Sequence, residues 1–227
     1  MASVKKAILG QLNGGIADVV FKSKNGKGYV ASKPASMKVS NSPRSVEIRS
    51  KFRISIKFAQ MITSNLMLKD LWKSVKPQNM SAANYIVREN YPFITQTGIN
   101  NGAQIVPGFG FTVDGPVISL TGERLRVDIN ALGNDTGIVP ASEPNLRLLS
   151  VIMLTSPVNV GQKPVEFMAL SSPSVPTVVD AALNFTADLS NQQENLFSLY
   201  QTSKAFCIIV SLSPEQNIVH YSSTFTD

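Results

Sequence analysis

One histidine, His220, and one cysteine, Cys207, are the only carriers of the chemistry most often used for proton transfer and nucleophilic attack near neutral pH. A serine triad needs a histidine held by a carboxylate, and a nucleophile raised on a sharp turn. His220 lies in the β-prone run Asn217-Ile-Val-His-Tyr-Ser, and no Gly-x-Ser-x-Gly elbow occurs anywhere in the chain. It reads as a residue on a strand face. Cys207 stands between Phe206 and Ile208 in an apolar run, the setting of a buried, inert thiol. A single cysteine excludes an intramolecular disulfide and any multi-cysteine zinc site.

The carboxylates offer little more. Asp128, Asn130, Gly133, Asn134 and Asp135 have the composition of a calcium loop. No glutamate stands at the twelfth position, however, and the glycine is misplaced, so the segment reads as a plain turn. Glu123 and Asp128 could serve as an acid and a base only if the fold brought them together, which spacing does not require. No catalytic residue, metal ligand or cofactor is expected, and the chain reads as a non-enzyme.

Charge is the stronger signal. Residues 1 to 60 hold nine Lys and three Arg against Asp18 and Glu47, a balance of +10. The remainder holds 9 basic and 13 acidic side chains, and residues 108 to 227 alone balance to −6. Such asymmetry points to an N-terminal segment that meets an anionic partner, either nucleic acid or the acidic half of a neighbouring copy. A solvated basic face is the plain alternative. Hydrophobic residues at 43% and charged residues at 16% exclude a disordered chain. No apolar run approaches the ~18 residues of a membrane span, and the start has no secretory signal pattern. No membrane partner is expected.

The elements that would carry these charges can be placed. Residues 16 to 32 are two β-prone runs around Asn25-Gly26, the signature of a hairpin with a type I′ turn, and carry Lys22, Lys24 and Lys27. Gly10 and the Gly14-Gly15 pair read as turns, and Lys33-Pro34 as the end of the second strand. Ser42-Pro43 then reads as an N-cap with proline at the first helical position, opening a long helix through residues free of Gly and Pro. On that helix Arg49, Arg53, Lys57, Gln60 and Ser64 share one face, and Ile48, Phe52, Ile56, Ala59, Ile62 and Leu66 the other. Residues 51 to 58 also alternate polar and apolar, so a strand remains the rival reading there. Leu68 to Trp72 continue helically until Pro77, and Ser81 caps a short helix from Ala82 to Asn90. Trp72 and Tyr85 read as core anchors.

Residues 93 to 107 are turn-rich and read as a linker between a basic hairpin-plus-helix docking region, 1 to 92, and a β-rich half, 108 to 227. Seven runs in that half have strand character: 117–120, 124–130, 146–154, 165–170, 183–189, 204–212 and 218–225. Two of them alternate strictly, as half-buried strands do. Residues 148–154, apolar but for Ser150, and 206–210, apolar throughout, fit central strands of a two-sheet sandwich or a face covered by another domain. The fold class expected is mainly β with a helical segment: an N-terminal hairpin plus a long helix, then an immunoglobulin-like β-sandwich.

Ile8-Leu9-Gly10 with Gly14-Gly15, the Lys24-Asn-Gly-Lys27 hairpin, Ser32-Lys33-Pro34, and Ser42-Pro43-Arg44 leading to Arg49-Ser-Lys51-Phe52 resemble an uncharacterised Bacteroidota family. That family is known only as a domain of unknown function, with likeness to phage and prophage structural proteins. The resemblance covers residues 1 to 90 best and departs at 43 to 48, where Pro-Arg-Ser-Val-Glu-Ile replaces a glutamine and alanine pattern. It implies helix rather than strand over 51 to 58, an immunoglobulin-like C-terminal half, and no catalytic residue.

The expectation is therefore a phage virion component (head, decoration or tail-associated), assembled in the host cytoplasm and acting through contacts with itself or other virion proteins. Its partner-binding residues would be Lys22, Lys24, Lys27, Arg44, Arg49, Arg53 and Lys57. The alternatives are a nucleic-acid-contacting virion or nucleoid protein and a surface-binding adhesion module.

Overall fold

The computed structural model describes residues 2–3, 14–16, 18–24, 27–33 and 39–227. The chain divides into two compact units, Met1–Ser45 and Val46–Asp227. In the first, strands β1 (Ala2–Ser3), β2 (Gly14–Ile16), β3 (Val19–Lys24) and β4 (Lys27–Ser32) form an antiparallel sheet in the order β1-β4-β3-β2. The expected hairpin is there, with Val19 opposite Ser32 and Lys24 opposite Lys27. Its turn at 25–26 lies outside the described residues, as do Gly10 and residues 34–38. Gly14 and Gly15 do not turn the chain: they pair with Phe21 and Val20 as an edge strand.

The second unit begins its core with helix α1 (Pro43–Ser64), so residues 51–58 are helical. Ser42 Oγ accepts the Ser45 N–H at 3.3 Å, the capping bond that Ser-Pro foreshadows. The helix stops earlier than expected. Asn65 turns extended, with ψ 118°, and its side chain accepts the Met67 and Leu68 N–H groups at 3.0 and 3.3 Å. This ends α1 and starts α2 (Leu66–Val75), and Lys76 leaves the helix just before Pro77. Ser81 caps α3 (Ala82–Asn90) as its sequence predicts, accepting the Asn84 N–H at 3.1 Å.

All seven expected strands form: β5 (Val117–Leu120), β6 (Arg124–Ile129), β7 (Asn145–Pro157), β8 (Val165–Ser171), β10 (Leu183–Asp188), β11 (Tyr200–Leu212) and β12 (Ile218–Tyr221), joined by the two-residue strands β9 (Val175–Pro176) and β13 (Phe225–Thr226). They make a small sheet, β10-β6-β5, and a larger one built on β12-β11-β7-β8. Between these sheets Leu125, Val127, Phe185 and Ala187 meet Leu148, Ile152, Cys207 and Ile209. On the opposite face of the larger sheet, Phe58, Ile62, Trp72 and Ile86 of the helices meet Val151, Phe167, Phe206 and Ile208. The apolar runs of β7, broken only by the buried Ser150, and of β11 have this cause, because each strand is covered on both faces.

Two expectations need correction. Ile94, Ile99, Ala103, Ile105 and Val106 are buried in the same core as the helices and the sheet. Residues 93–107 are therefore part of the second unit and not a linker, and the helices belong with the β-rich half. The helical face is also rotated. Ile54, Ser55, Phe58, Ala59 and Ile62 are buried, while Ile48, Phe52 and Leu66 of the expected apolar face stand 49%, 53% and 69% exposed. One further helix, α4 (Asn191–Ser198), escaped notice. Its signal was Ser190-x-x-Gln193: the Gln193 side chain accepts the Ser190 N–H at 2.9 Å.

Candidate functional site

The first turns of α1 run past the core, since Ile54 is its first buried residue. Over that stretch Val46, Ile48 and Phe52 are 44%, 49% and 53% exposed, interleaved in sequence with Arg49 and Arg53. Helix formation here satisfies the backbone without burying the apolar side chains, so this end of α1 presents a mixed apolar and cationic surface.

Further along, Lys57 leaves that surface. Its Nζ donates to Glu166 Oε1 at 2.9 Å and to the Val165 carbonyl at 3.1 Å, and both side chains of the pair are 22% exposed. Lys163 Nζ reaches Glu166 Oε2 at 3.2 Å, so one carboxylate bridges two ammonium groups. Burial pushes the Glu166 carboxyl up, but the bonds from Lys57 and Lys163 outweigh it and hold the group below its ordinary value. The expected open basic face therefore narrows, because Lys57 ties α1 to the start of β8.

Between α1 and the β7–β8 loop lies a shallow cleft of about 220 Å³, lined by Ser50, Arg53, Lys57, Gln96 and Lys163. Lys57 and Lys163 are already paired with Glu166, Ile54, Pro164 and Val165 complete the lining, and Arg53 stands beside the Ser50 hydroxyl and the Gln96 amide. Of the three cations only Arg53 has no pairing with Glu166, and its guanidinium has the forked donor geometry that suits a carboxylate or phosphate. Lys163 was missed in the sequence because it lies more than a hundred positions from Arg53 and carries no local pattern. In the first unit, β3–β4 register sets Lys22 opposite Tyr29, and strand alternation puts Lys27 on their face. Lys24 pairs with Lys27 along the backbone. Arg44 is exposed at the first turn of α1.

His220 has a partner that the sequence did not reveal. Glu143, 2% exposed, accepts from His220 Nδ1 at 2.9 Å and from the Val139 N–H at 3.1 Å, and takes the Ser211 hydroxyl as well. Burial raises the Glu143 carboxyl, and the bonds from Ser211, His220 and Val139 together bring it below its ordinary value. Ser211 donates to the carboxylate rather than to the imidazole, so the three groups do not form a serine triad. Cys207 is fully buried, and desolvation pushes its thiol well above the usual range. Asp128 pairs with Arg126 and Asn184, and Asn130 with Asp114. Among the described residues no three His, Cys, Asp or Glu side chains group as metal ligands, and no helix is long and apolar enough to cross a membrane.

No protein-family model matches the chain, and no curated protein does. Among solved structures, a DUF3823 family protein from Parabacteroides merdae is 16% identical over 53% of this chain and 52% of that one, with a TM-score of 0.26. DesR, a β-glucosidase from Streptomyces venezuelae, is 13% identical over 53% of this chain and 16% of its own, TM-score 0.24. β-Glucosidase 3B from Thermotoga neapolitana is 13% identical over 52% and 16%, TM-score 0.19. The chain thus spans about half of the first neighbour and a small part of the two enzymes. Likeness at this level carries no argument about the fold, the site or the activity.

Proposed function

We propose that the protein is a non-enzymatic assembly protein, a virion structural component that works through protein–protein contacts made by the N-terminal turns of α1. One observation carries the reading. Val46, Ile48 and Phe52 stand about half exposed on an ordered helix that also bears Arg49 and Arg53, a composition suited to an interface with an acidic partner surface. A second copy offers one: residues 107–123, 127–146 and 164–203 contain no Lys or Arg, and their loops carry Asp114, Asp135 and Asp180. The anion cleft at Arg53 gives such a contact a fixed point, and charge pairs of this kind set register more than affinity.

The β-rich half is proposed to be an immunoglobulin-like sandwich. The strand orders β5-β6-β10 and β8-β7-β11-β12 support it, and so does the core closed between the two sheets. Kinship with the Bacteroidota family of phage-like proteins rests on the N-terminal motifs and belongs to the same proposal. A nucleic-acid-contacting role is the second reading, favoured by the placing of Lys22 and Lys27 around Tyr29 in the first unit.

The test is mass in solution by light scattering across a salt series, with and without duplex DNA. Assembly that weakens with salt, ignores DNA and is lost in Arg49→Glu/Arg53→Glu while the variant stays folded supports the first reading. DNA binding with a slope of about 0.9 log units per phosphate neutralised, without self-association, replaces it by the second.

A further inference from the structure

Away from the N-terminal turns of α1, the loop at 107–111 is pinned on both sides of one aromatic ring. The Pro107 carbonyl accepts the Tyr221 hydroxyl at 3.0 Å, and the Phe111 N–H donates to the Tyr221 carbonyl at 3.1 Å. Ser223 closes the other side, its N–H donating to the Phe111 carbonyl at 2.9 Å and its hydroxyl to the Gly110 carbonyl at 3.0 Å. Gly108 has φ +73°, and a Cβ on Gly110 would lie 1.8 Å from the Tyr221 carbonyl oxygen. Glycine is required at both places. Between them Phe109 stands 84% exposed. A rigid backbone thus holds out an apolar ring that gains nothing from water.

Beside that ring lies a cleft of about 360 Å³, floored by Trp72 and walled by Tyr85, Pro92, Phe93 and Pro107. It too is preformed. Trp72 and Tyr85 meet edge to face at 5.4 Å, and Trp72 Nε1 donates to the Ile105 carbonyl at 2.9 Å. Asn90 locks α3 to the following loop, donating to the Ile86 and Gln104 carbonyls and accepting the Gln104 N–H at 2.7 Å.

We propose that this surface docks on the same surface of a second copy about a two-fold axis, each Phe109 entering the other copy's cleft. A two-fold contact requires one patch to be complementary to itself, and here knob and hole lie side by side. The nearby charges fit the same operation. Arg88 and Glu89 are adjacent, 53% and 45% exposed on their side chains and paired with each other at 2.9 Å, so rotation can bring two such pairs together and let them exchange partners, Arg88 of one copy against Glu89 of the other. A glycan suits the cleft less well, because the Asn90 amide is spent within the chain. Two rings that bury ~150–250 Å² each fall short of the ~1,200–2,000 Å² of a tight complex, so the pairing is weak and concentration-dependent. It rests on the reading of the protein as one that acts through self-contact, but on a different surface from α1.

The experiment follows mass by sedimentation and Trp72 fluorescence together over a concentration series of the full chain. Trp72 is the one tryptophan of the sequence, so its emission reports the cleft directly. Mass should climb toward twice the monomer, with Trp72 emission shifting in step. Phe109→Ala, an exposed substitution, should weaken pairing by at least tenfold and flatten the emission curve. Arg88→Glu should weaken it less, with Arg88→Glu/Glu89→Arg recovering most of the loss. The α1 variant Arg49→Glu/Arg53→Glu should leave pairing intact, which separates this inference from the assembly reading. Pairing unchanged in Phe109→Ala, or a wild-type chain that stays monomeric throughout, overturns it. So does a Trp72 response to added polyproline peptide or maltohexaose without change of mass, which would hand the cleft to that ligand.

Discussion

The two units solve the problem of stability differently. The first, Met1–Ser45, holds eight Lys and Arg against one acid, and none of its described side chains is fully buried in its four-stranded sheet. The second, Val46–Asp227, holds 13 basic and 14 acidic side chains and buries one sheet between helices and a second sheet. A thin sheet with no fully buried side chain among those described gains little from hydrophobic burial. A covered sheet gains from both faces. The comparison teaches where mutations should be felt as lost stability and where as lost contact.

The largest effect is expected at Phe58, which packs edge-on to Phe206 at 5.5 Å and against Phe167 at 5.8 Å. Phe58→Ala should cost about 3–5 kcal/mol, whereas Phe21→Ala in the half-buried first sheet should cost under about 1 kcal/mol. Denaturant unfolding of both variants checks this, and equal losses would erase the contrast.

Next comes Glu143. Glu143→Ala takes the carboxylate acceptor from the buried Ser211 hydroxyl, leaving it the His220 carbonyl at 3.4 Å, and should cost about 1–3 kcal/mol. Its pH signature has a definite sign. A carboxyl held below its ordinary value in the folded state stabilises fully above the unfolded value, ~4.3 for glutamate. That contribution disappears as pH falls through the lower folded value. Wild type should therefore lose stability below about pH 4, and Glu143→Ala should show a flatter acid limb when thermal unfolding is followed against pH.

A smaller loss belongs to Lys57→Met, which strips one ammonium from a partly buried pair and should cost about 1 kcal/mol. Arg53→Gln at the cleft mouth should change unfolding by less than about 0.5 kcal/mol. If Arg53→Gln proves the more destabilising, the cleft is a structural feature and not a binding one. Smallest in stability, at about 0.5 kcal/mol or less, is Lys22→Gln/Lys27→Gln in the first unit. Its readout is instead the salt slope of DNA binding, expected to drop by about one per phosphate-contacting lysine. An unchanged slope removes this face from the nucleic-acid reading.

Much of the fold was legible because it is local. Asn25-Gly26, Ser42-Pro43 and Ser81 mark a hairpin and two helix starts through turn and capping chemistry that depends only on neighbouring residues. Strict alternation in 124–130 and 183–189 is a half-buried strand's own record. The break at Asn65 was less legible, since an asparagine that caps α2 reads equally well as an exposed helical residue. Which face of α1 is buried is illegible for a related reason: Ile48 and Phe52 share the apolar pattern, but burial on this helix begins only at Ile54. The candidate cleft was half visible, with Arg53 and Lys57 on one helix and Lys163 and Glu166 unmarked.

By itself, the sequence determined the secondary structure of most elements, the concentration of positive charge near the N-terminus and the shortage of nucleophiles and imidazoles. These follow from residue type and from interactions within a few positions. Tertiary structure alone decided that residues 93–107 are core, that Lys57 is tied to Glu166, that His220 is held by a buried Glu143, and that Phe109 stands beside an aromatic cleft. Each of these depends on segments tens of residues apart being brought within a few ångströms. Only the packing of sheets and helices, not any local pattern, can specify that.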